Sequence, residues 1–136
     1  MNVTCLKKDI EKVVDTCYRI ISTHMALPVL SCVVFESLEK EIVARATNLE
    51  LSIEIRFPGE VKTKGSVAIP AQTLLSTLKT SSGSGNVHLK HADGTVSLSV
   101  GGGEHSIKTI SLDDFPKLPQ PETKKPHAIP ASVLIE

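Results

Sequence analysis

Apolar side chains recur at helical spacing near the start of the chain. Leu6, Ile10, Val13, Val14, Cys17 and Ile21 form one stripe, which predicts an amphipathic helix over 7–21. At about 100° per residue, Lys8, Lys12, Asp15 and Arg19 fall on the opposite side. Asp15 can pair with Arg19 at i+4 and with Lys12 at i−3, which leaves a small positive excess on that face. A strand over 2–5 precedes the helix, and a loop over 22–26 follows it. Apolar or alternating runs over 29–35, 42–46 and 51–57 predict strands. The last alternates most cleanly: Leu51, Ile53, Ile55 and Phe57 against Ser52, Glu54 and Arg56. Thr47-Asn48-Leu49-Glu50 has the form of a capping box, but the alternation after it makes it a turn between strands.

The pattern then starts again. After a turn at Pro58-Gly59, a strand over 64–69 leads into a helix over 71–79. That helix buries Ala71, Leu74, Leu75 and Leu78 and turns Gln72, Thr73 and Ser76 outward. Residues 81–86, rich in Ser and Gly, form a flexible turn. Strands over 87–91, 96–100 and 105–110 follow, the first two joined by the hairpin signal Asp93-Gly94 and the next pair by Gly101-Gly102-Gly103. The repetition extends to residue identities. Val67-Ala68-Ile69-Pro70-Ala71-Gln72-Thr73-Leu74-Leu75 recurs as His127-Ala128-Ile129-Pro130-Ala131-Ser132-Val133-Leu134-Ile135. A fainter copy runs from Val3 to Ile10, offset by 64 from the middle one. A repeat of this size is a supersecondary unit that needs neighbours to bury its apolar face. The chain therefore reads as strand–helix–three strands, twice. That is an α+β fold with internal pseudo-two-fold symmetry and helices on one face of antiparallel sheets. The proline-rich stretch over 113–126 is extended. It leads into the opening of a third unit, too short to be stable by itself, as though the chain continued into something longer.

Composition narrows this picture without naming a function. With 136 residues a single domain is the default. Three Phe, one Tyr and no Trp leave Val, Ile and Leu to fill the core. Fifteen basic residues balance fifteen acidic ones, so any electrostatic role must come from how charge is distributed over faces. Cys5, Cys17 and Cys32 cannot all pair with one another and match no zinc or redox spacing. They are expected to be reduced, buried thiols of a cytosolic protein. The first residues lack the apolar run of a secretory signal, and no run is long enough to span a bilayer.

Candidate chemistry is sparse. His88 and His91, three apart on a strand, point to opposite faces and suit no metal. Ser82-Gly83-Ser84-Gly85 lacks the strand-to-helix setting of a nucleophile elbow. Gly101-Gly102-Gly103 precedes no helix and is a turn, not a phosphate loop. Glu36, Glu39 and Glu41 lie around a turn, a solvated hairpin end. No catalytic residue, metal ligand or cofactor site is expected. Taken alone, Lys8, Lys12 and Arg19 form a solvated helix face.

Four segments, together with the repeat, change that. Leu27-Pro28-Val29-Leu30, Thr47-Asn48-Leu49-Glu50, Val67-Ala68-Ile69-Pro70-Ala71 and Asp114-Phe115-Pro116 resemble, in order and spacing, the bacterial DNA polymerase III beta subunit, the sliding clamp. The resemblance covers the whole chain. It implies a DNA-clamp fold in which 1–118 form the first of three similar domains, 119–126 a linker and 127–136 the start of the second. Such subunits pair head to tail into a six-domain ring, with helices lining the hole and sheets forming the wall. Lys8, Lys12 and Arg19 would then face double-stranded DNA. His24 and Gln72 fall at two DNA-contact positions where the family commonly has basic residues, so both lower the local positive charge. Thr73, His105 and Ile107 fall at the head-to-tail homodimer interface. The replicative polymerase and the clamp loader would bind through later domains. Two other function classes remain open at this point. One is a small hydrolase or sugar-binding module, for which so few aromatics make a poor stacking platform. The other is a protein-assembly module without DNA contact.

Overall fold

The computed structural model describes residues 1–21, 28–81, 83 and 85–116. Strand β1 (Asn2–Leu6) runs directly into helix α1 (Lys7–Ile20). A 3-10 turn (Pro28–Ser31) then leads to β2 (Cys32–Ser37), β3 (Glu41–Thr47), β4 (Ser52–Pro58) and β5 (Glu60–Thr63). Strand β6 (Gly65–Pro70) runs directly into α2 (Ala71–Thr80). Strands β7 (Asn86–Ala92), β8 (Thr95–Val100) and β9 (Gly103–Lys108) follow, and then a second 3-10 turn (Leu112–Asp114). The two helices start at Lys7 and Ala71, which is the 64-residue offset of the sequence repeat.

All strand pairing in the two sheets is antiparallel, in the orders β5-β1-β7-β8-β9 and β4-β3-β2-β6. The halves exchange their leading strands. β1 joins the β7-β8-β9 meander, and β6 joins β2-β3-β4. Each sheet is completed only by strands from the other half, so the exchange ties the two repeats together. The chain also crosses between sheets at matching places. After β4, Gly59 lets β5 pair with β1; after β9, Ile110 bridges Ala68 on β6. The backbone approaches the core closely at the first crossing: a Cβ on Gly59 would lie 2.6 Å from Ile42 Cδ1, so any other residue there would push the Ile42 side chain aside.

The core lies between the helices and the inner sheet faces. Ile10, Val14 and Cys17 of α1 and Leu74 and Leu78 of α2 pack with Val3, Phe35, Ile42, Ile69, Leu89 and Leu98. A smaller cluster covers the outer face of the four-stranded sheet. There Val29 and Leu30 pack on Cys32, Val34 and Ala68, with Ile110, Leu112 and Phe115 against them. Three of the four segments that carried the resemblance meet in this cluster. The fourth, at Thr47, is a self-bonded turn. Asn48 Oδ1 accepts from the N–H groups of Glu50 and Leu51 at 2.9 and 2.6 Å, and Leu49 adopts φ 76°.

Six expectations need correction. The run over 29–35 is a strand only from Cys32. Pro28 fixes its φ, and the Ser31 hydroxyl donates to the Pro28 carbonyl at 2.7 Å, which closes a turn. Strand β5 gave no signal because it offers a single apolar residue, Val61, at a sheet edge, so the first half carries one strand more than strand–helix–three strands. The strand over 105–110 spans Gly103–Lys108, and Ile110 has already left for the other sheet. Leu6 ends β1 and is 42% exposed, outside the helical stripe. Leu51 precedes β4 and is 54% exposed, so the inward alternation begins at Ile53. The proline-rich stretch opens not as extended chain but with Asp113 and Asp114 in the second 3-10 turn; its residues 117–126, the loop over 22–26 and the third repeat lie outside the described residues.

Candidate nucleic-acid interface

Helices α1 and α2 pack side by side, and each buries the face its sequence pattern assigned to the core. The remaining faces form one surface. Lys8, Lys12 and Arg19 of α1 are exposed on it, as are Gln72, Thr73, Ser76 and Lys79 of α2. Lys8, Glu11, Lys12, Asp15 and Lys79 line a shallow groove of about 400 Å³. The four basic and three acidic residues of α1, with the lone Lys79 of α2, leave an excess of two positive charges on the helix pair.

The expected ion pairing is half right. Arg19 Nη2 donates to Asp15 Oδ2 at 3.0 Å, as the i+4 spacing predicts. The second partner of Asp15 is Lys79, its Nζ 3.6 Å from Oδ1, and not Lys12. Among the described residues neither Lys8 nor Lys12 joins an ion pair, so both ammonium groups can meet an anion directly. Lys7 does a different job. Its Nζ donates to the carbonyls of Ser81 and Gly83 at 2.7 and 2.9 Å, and its backbone N–H donates to Gly85 at 2.8 Å. A cation from α1 thus satisfies carbonyls just past the end of α2 and ties that loop to the helix pair. Neither Lys79 nor Lys7 stood out in the sequence. Lys79 could have been found, because the 64-residue repeat pairs it with Asp15 on the exposed stripe.

The family described as DNA polymerase III beta subunit, N-terminal domain, matches residues 1–119. The chain belongs to this family. Two relatives named beta sliding clamp, from Synechococcus elongatus and Synechocystis sp., are 27% and 28% identical to it over 138 and 145 residues. Both matches cover 100% of this chain, and the chain spans 37% of each relative's length. The fold is that of the DNA polymerase III beta subunit from Pseudomonas aeruginosa, with TM-score 0.90, 20% identity, and 98% of this chain and 37% of that one covered. The beta subunit from Streptococcus pyogenes agrees as well, with TM-score 0.89, 21% identity, and coverage of 98% and 37%.

Other positions singled out by resemblance to the clamp family fall as follows. Gln72 sits in the first turn of α2, exposed, at the place equivalent to Lys8 in α1. His24 lies outside the described residues. Thr73 is exposed on α2, which packs near β9. Among the described residues β9 pairs only with β8 and so forms an edge of the five-stranded sheet. His105 is exposed on it, whereas Ile107 is 5% exposed and packs in the core. A partner strand could therefore reach Ile107 only through its backbone. Among the described residues no cluster of three or more His, Cys, Asp or Glu could hold a metal, and no helix is long and apolar enough to cross a membrane. His88 bonds through Nε2 to Asn2 Oδ1 at 2.5 Å, while His91 lies on the other face of β7.

Proposed function

We propose that residues 1–118 work as the first domain of a sliding clamp, a processivity factor that encircles duplex DNA as a ring and slides without reading sequence. The observation that carries this is the paired helix surface. It is modestly positive, with Lys8 and Lys12 unpaired among the described residues and Arg19 and Lys79 beside them, and both sheets lie behind it. Such a surface supplies phosphate contacts, which position a protein on DNA but carry no base information. Gln72 adds a neutral polar group, and His24 is assigned to the same role. The ring itself, closed head to tail with a second copy, keeps the protein on DNA. The open edge of β9, with His105 and neighbouring Thr73, suits that contact, because unpaired N–H and C=O groups can continue a sheet across subunits. Polymerase and clamp loader engage later domains. The domain has no catalytic role or cofactor of its own and works in the cytoplasm, where three reduced thiols are stable.

The test uses the full-length protein loaded on a nicked circular plasmid. Retention on the circle, followed by loss after the plasmid is cut, is the expected result and demonstrates topological linkage. Equal retention on circular and linear DNA would overturn the clamp reading in favour of direct adhesion.

A further inference from the structure

We propose that Asp15 sets how weakly the helix surface holds DNA, by acting as an internal counter-charge for two of its four exposed cations. The inference rests on the DNA-facing role proposed above. The Asp15 carboxylate is shared: Oδ2 accepts from Arg19 and Oδ1 faces Lys79 on the other helix. It lies in the groove that Lys8 and Lys12 also line. A phosphate that approaches Arg19 or Lys79 must therefore compete with a carboxylate already paired to them, whereas Lys8 and Lys12, with Glu11 beside them in the groove, are held in no ion pair among the described residues. A sliding surface needs such restraint. Every cation that neutralises a phosphate releases a counterion and strengthens binding, and the contact must be broken at each step along the duplex. The carboxylate keeps Arg19 and Lys79 on the surface as a diffuse field while denying them full phosphate contacts. Helix stability does not account for the arrangement: an exposed i,i+4 pair stabilises a helix only slightly, and Lys79 belongs to another helix.

The experiment compares full-length wild-type protein with Asp15→Asn, Asp15→Glu and Asp93→Asn. Asp93 lies in the β7–β8 turn with φ 52°, a conformation Asn tolerates, and its loss changes net charge equally. Association with a short duplex is measured across salt concentrations, and one-dimensional diffusion is followed on stretched DNA. Two freed cations, at about 0.9 each, should steepen the slope of log K against log salt by about one to two for Asp15→Asn. Diffusion should slow. Asp15→Glu should behave as wild type, and so should Asp93→Asn. An Asp15→Asn slope equal to a measurable wild-type slope would overturn the inference and leave the clamp function intact. An equal steepening by Asp93→Asn would overturn it too, by assigning the effect to net charge. A wild-type protein with no salt dependence at all would instead remove the DNA-facing role on which the inference depends.

Discussion

Asp15 and Lys79 hold equivalent positions in the two halves of the chain, 64 residues apart, and their side chains meet at 3.6 Å. Equivalent residues can touch only near the axis that relates them, so the pseudo-two-fold passes close to this pair, between the helices. The same offset matches buried positions across the core: Val3 with Val67, Cys5 with Ile69, Ile10 with Leu74, and Val14 with Leu78. The repeat is kept where packing requires it and broken on the surface. There Asp15 faces Lys79, and Lys8 corresponds to Gln72.

Burial separates two leucines that the helical pattern treats alike. Leu78 of α2 is 0% exposed and packs in the main core, whereas Leu6 is 42% exposed at the end of β1. Leu78→Ala should cost about 2–5 kcal/mol through reduced burial and the cavity it leaves. Leu6→Ala should stay within about 0.5 kcal/mol, as surface changes do. Urea denaturation midpoints of the two variants measure the difference, and equal destabilisation would mean that Leu6 is packed after all.

That contrast marks what could be read from the chain. Both helices, the hairpin turn at Asp93-Gly94 and the two-fold repeat were legible, because local periodicity and turn chemistry write them into neighbouring residues. The exchange of β1 and β6 between halves was not. Strand pairing depends on which edge is nearest in space, and Val3 or Val67 looks the same beside either meander. β5 was hidden because an edge strand with one apolar residue carries no alternation. The basic residues of α1 were visible as a stripe, but Lys79 stands alone on a neutral helix and gains meaning only from Asp15 across the groove.

A charge network on the outer sheet face sets the expected acid response. Arg45 donates to Glu36 at 2.6 Å and to Glu54, its cross-strand neighbour, at 2.9 Å, while Arg56 reaches Glu41 at 2.8 Å. The hydrogen bond from Arg45, opposed by partial burial and helped by the charges of Arg45 and Arg56, holds the Glu54 carboxyl below its ordinary range. Burial of the Arg45 guanidinium works against its charge, but the bonds to Glu36 and Glu54 outweigh it and raise its pKa. A carboxylate depressed in the fold adds stability above its unfolded pKa, about 4.3, and loses it as pH falls through the folded value. Wild type should therefore exceed Glu54→Gln by up to about 1 kcal/mol at neutral pH, with the gap closing below about pH 4. Denaturant midpoints of both proteins across that range provide the check.

The three thiols should respond in the opposite direction. Burial, with the charge of Asp9 adding to it, pushes Cys5 up to about 12. Burial pushes Cys17 to about 11 and Cys32 to about 11, the latter moderated by a hydrogen bond with Ser31. In the unfolded chain a thiol ionises near about 8.5, so the unfolded state loses protons first and stability falls as pH rises above that point. At pH 8 a thiol reagent should label the native protein slowly and modify all three cysteines at full rate in urea. Fast labelling of the native protein would show that at least one of them is accessible.

Charge removal from α1 should separate binding from folding. Lys8, Lys12 and Arg19 point away from the core, and the one ion pair among them that the structure shows is the exposed pair of Arg19 with Asp15. Changing all three to Ser removes three positive charges while the buried face of Ile10, Val13, Val14 and Cys17 stays intact. Each Ser lowers helix propensity by a few tenths of a kcal/mol, which a helix held by core packing should tolerate. In the full-length protein, association with duplex DNA at low salt should weaken. The slope of log K against log salt should shrink by at most about 0.9 for each phosphate that is no longer neutralised. Arg19 is restrained by Asp15, so most of that reduction should come from Lys8 and Lys12, and the double variant should approach the triple. Circular dichroism should report an unchanged fold in both. A salt slope equal to wild type in a folded triple variant would mean that this helix face does not look toward DNA.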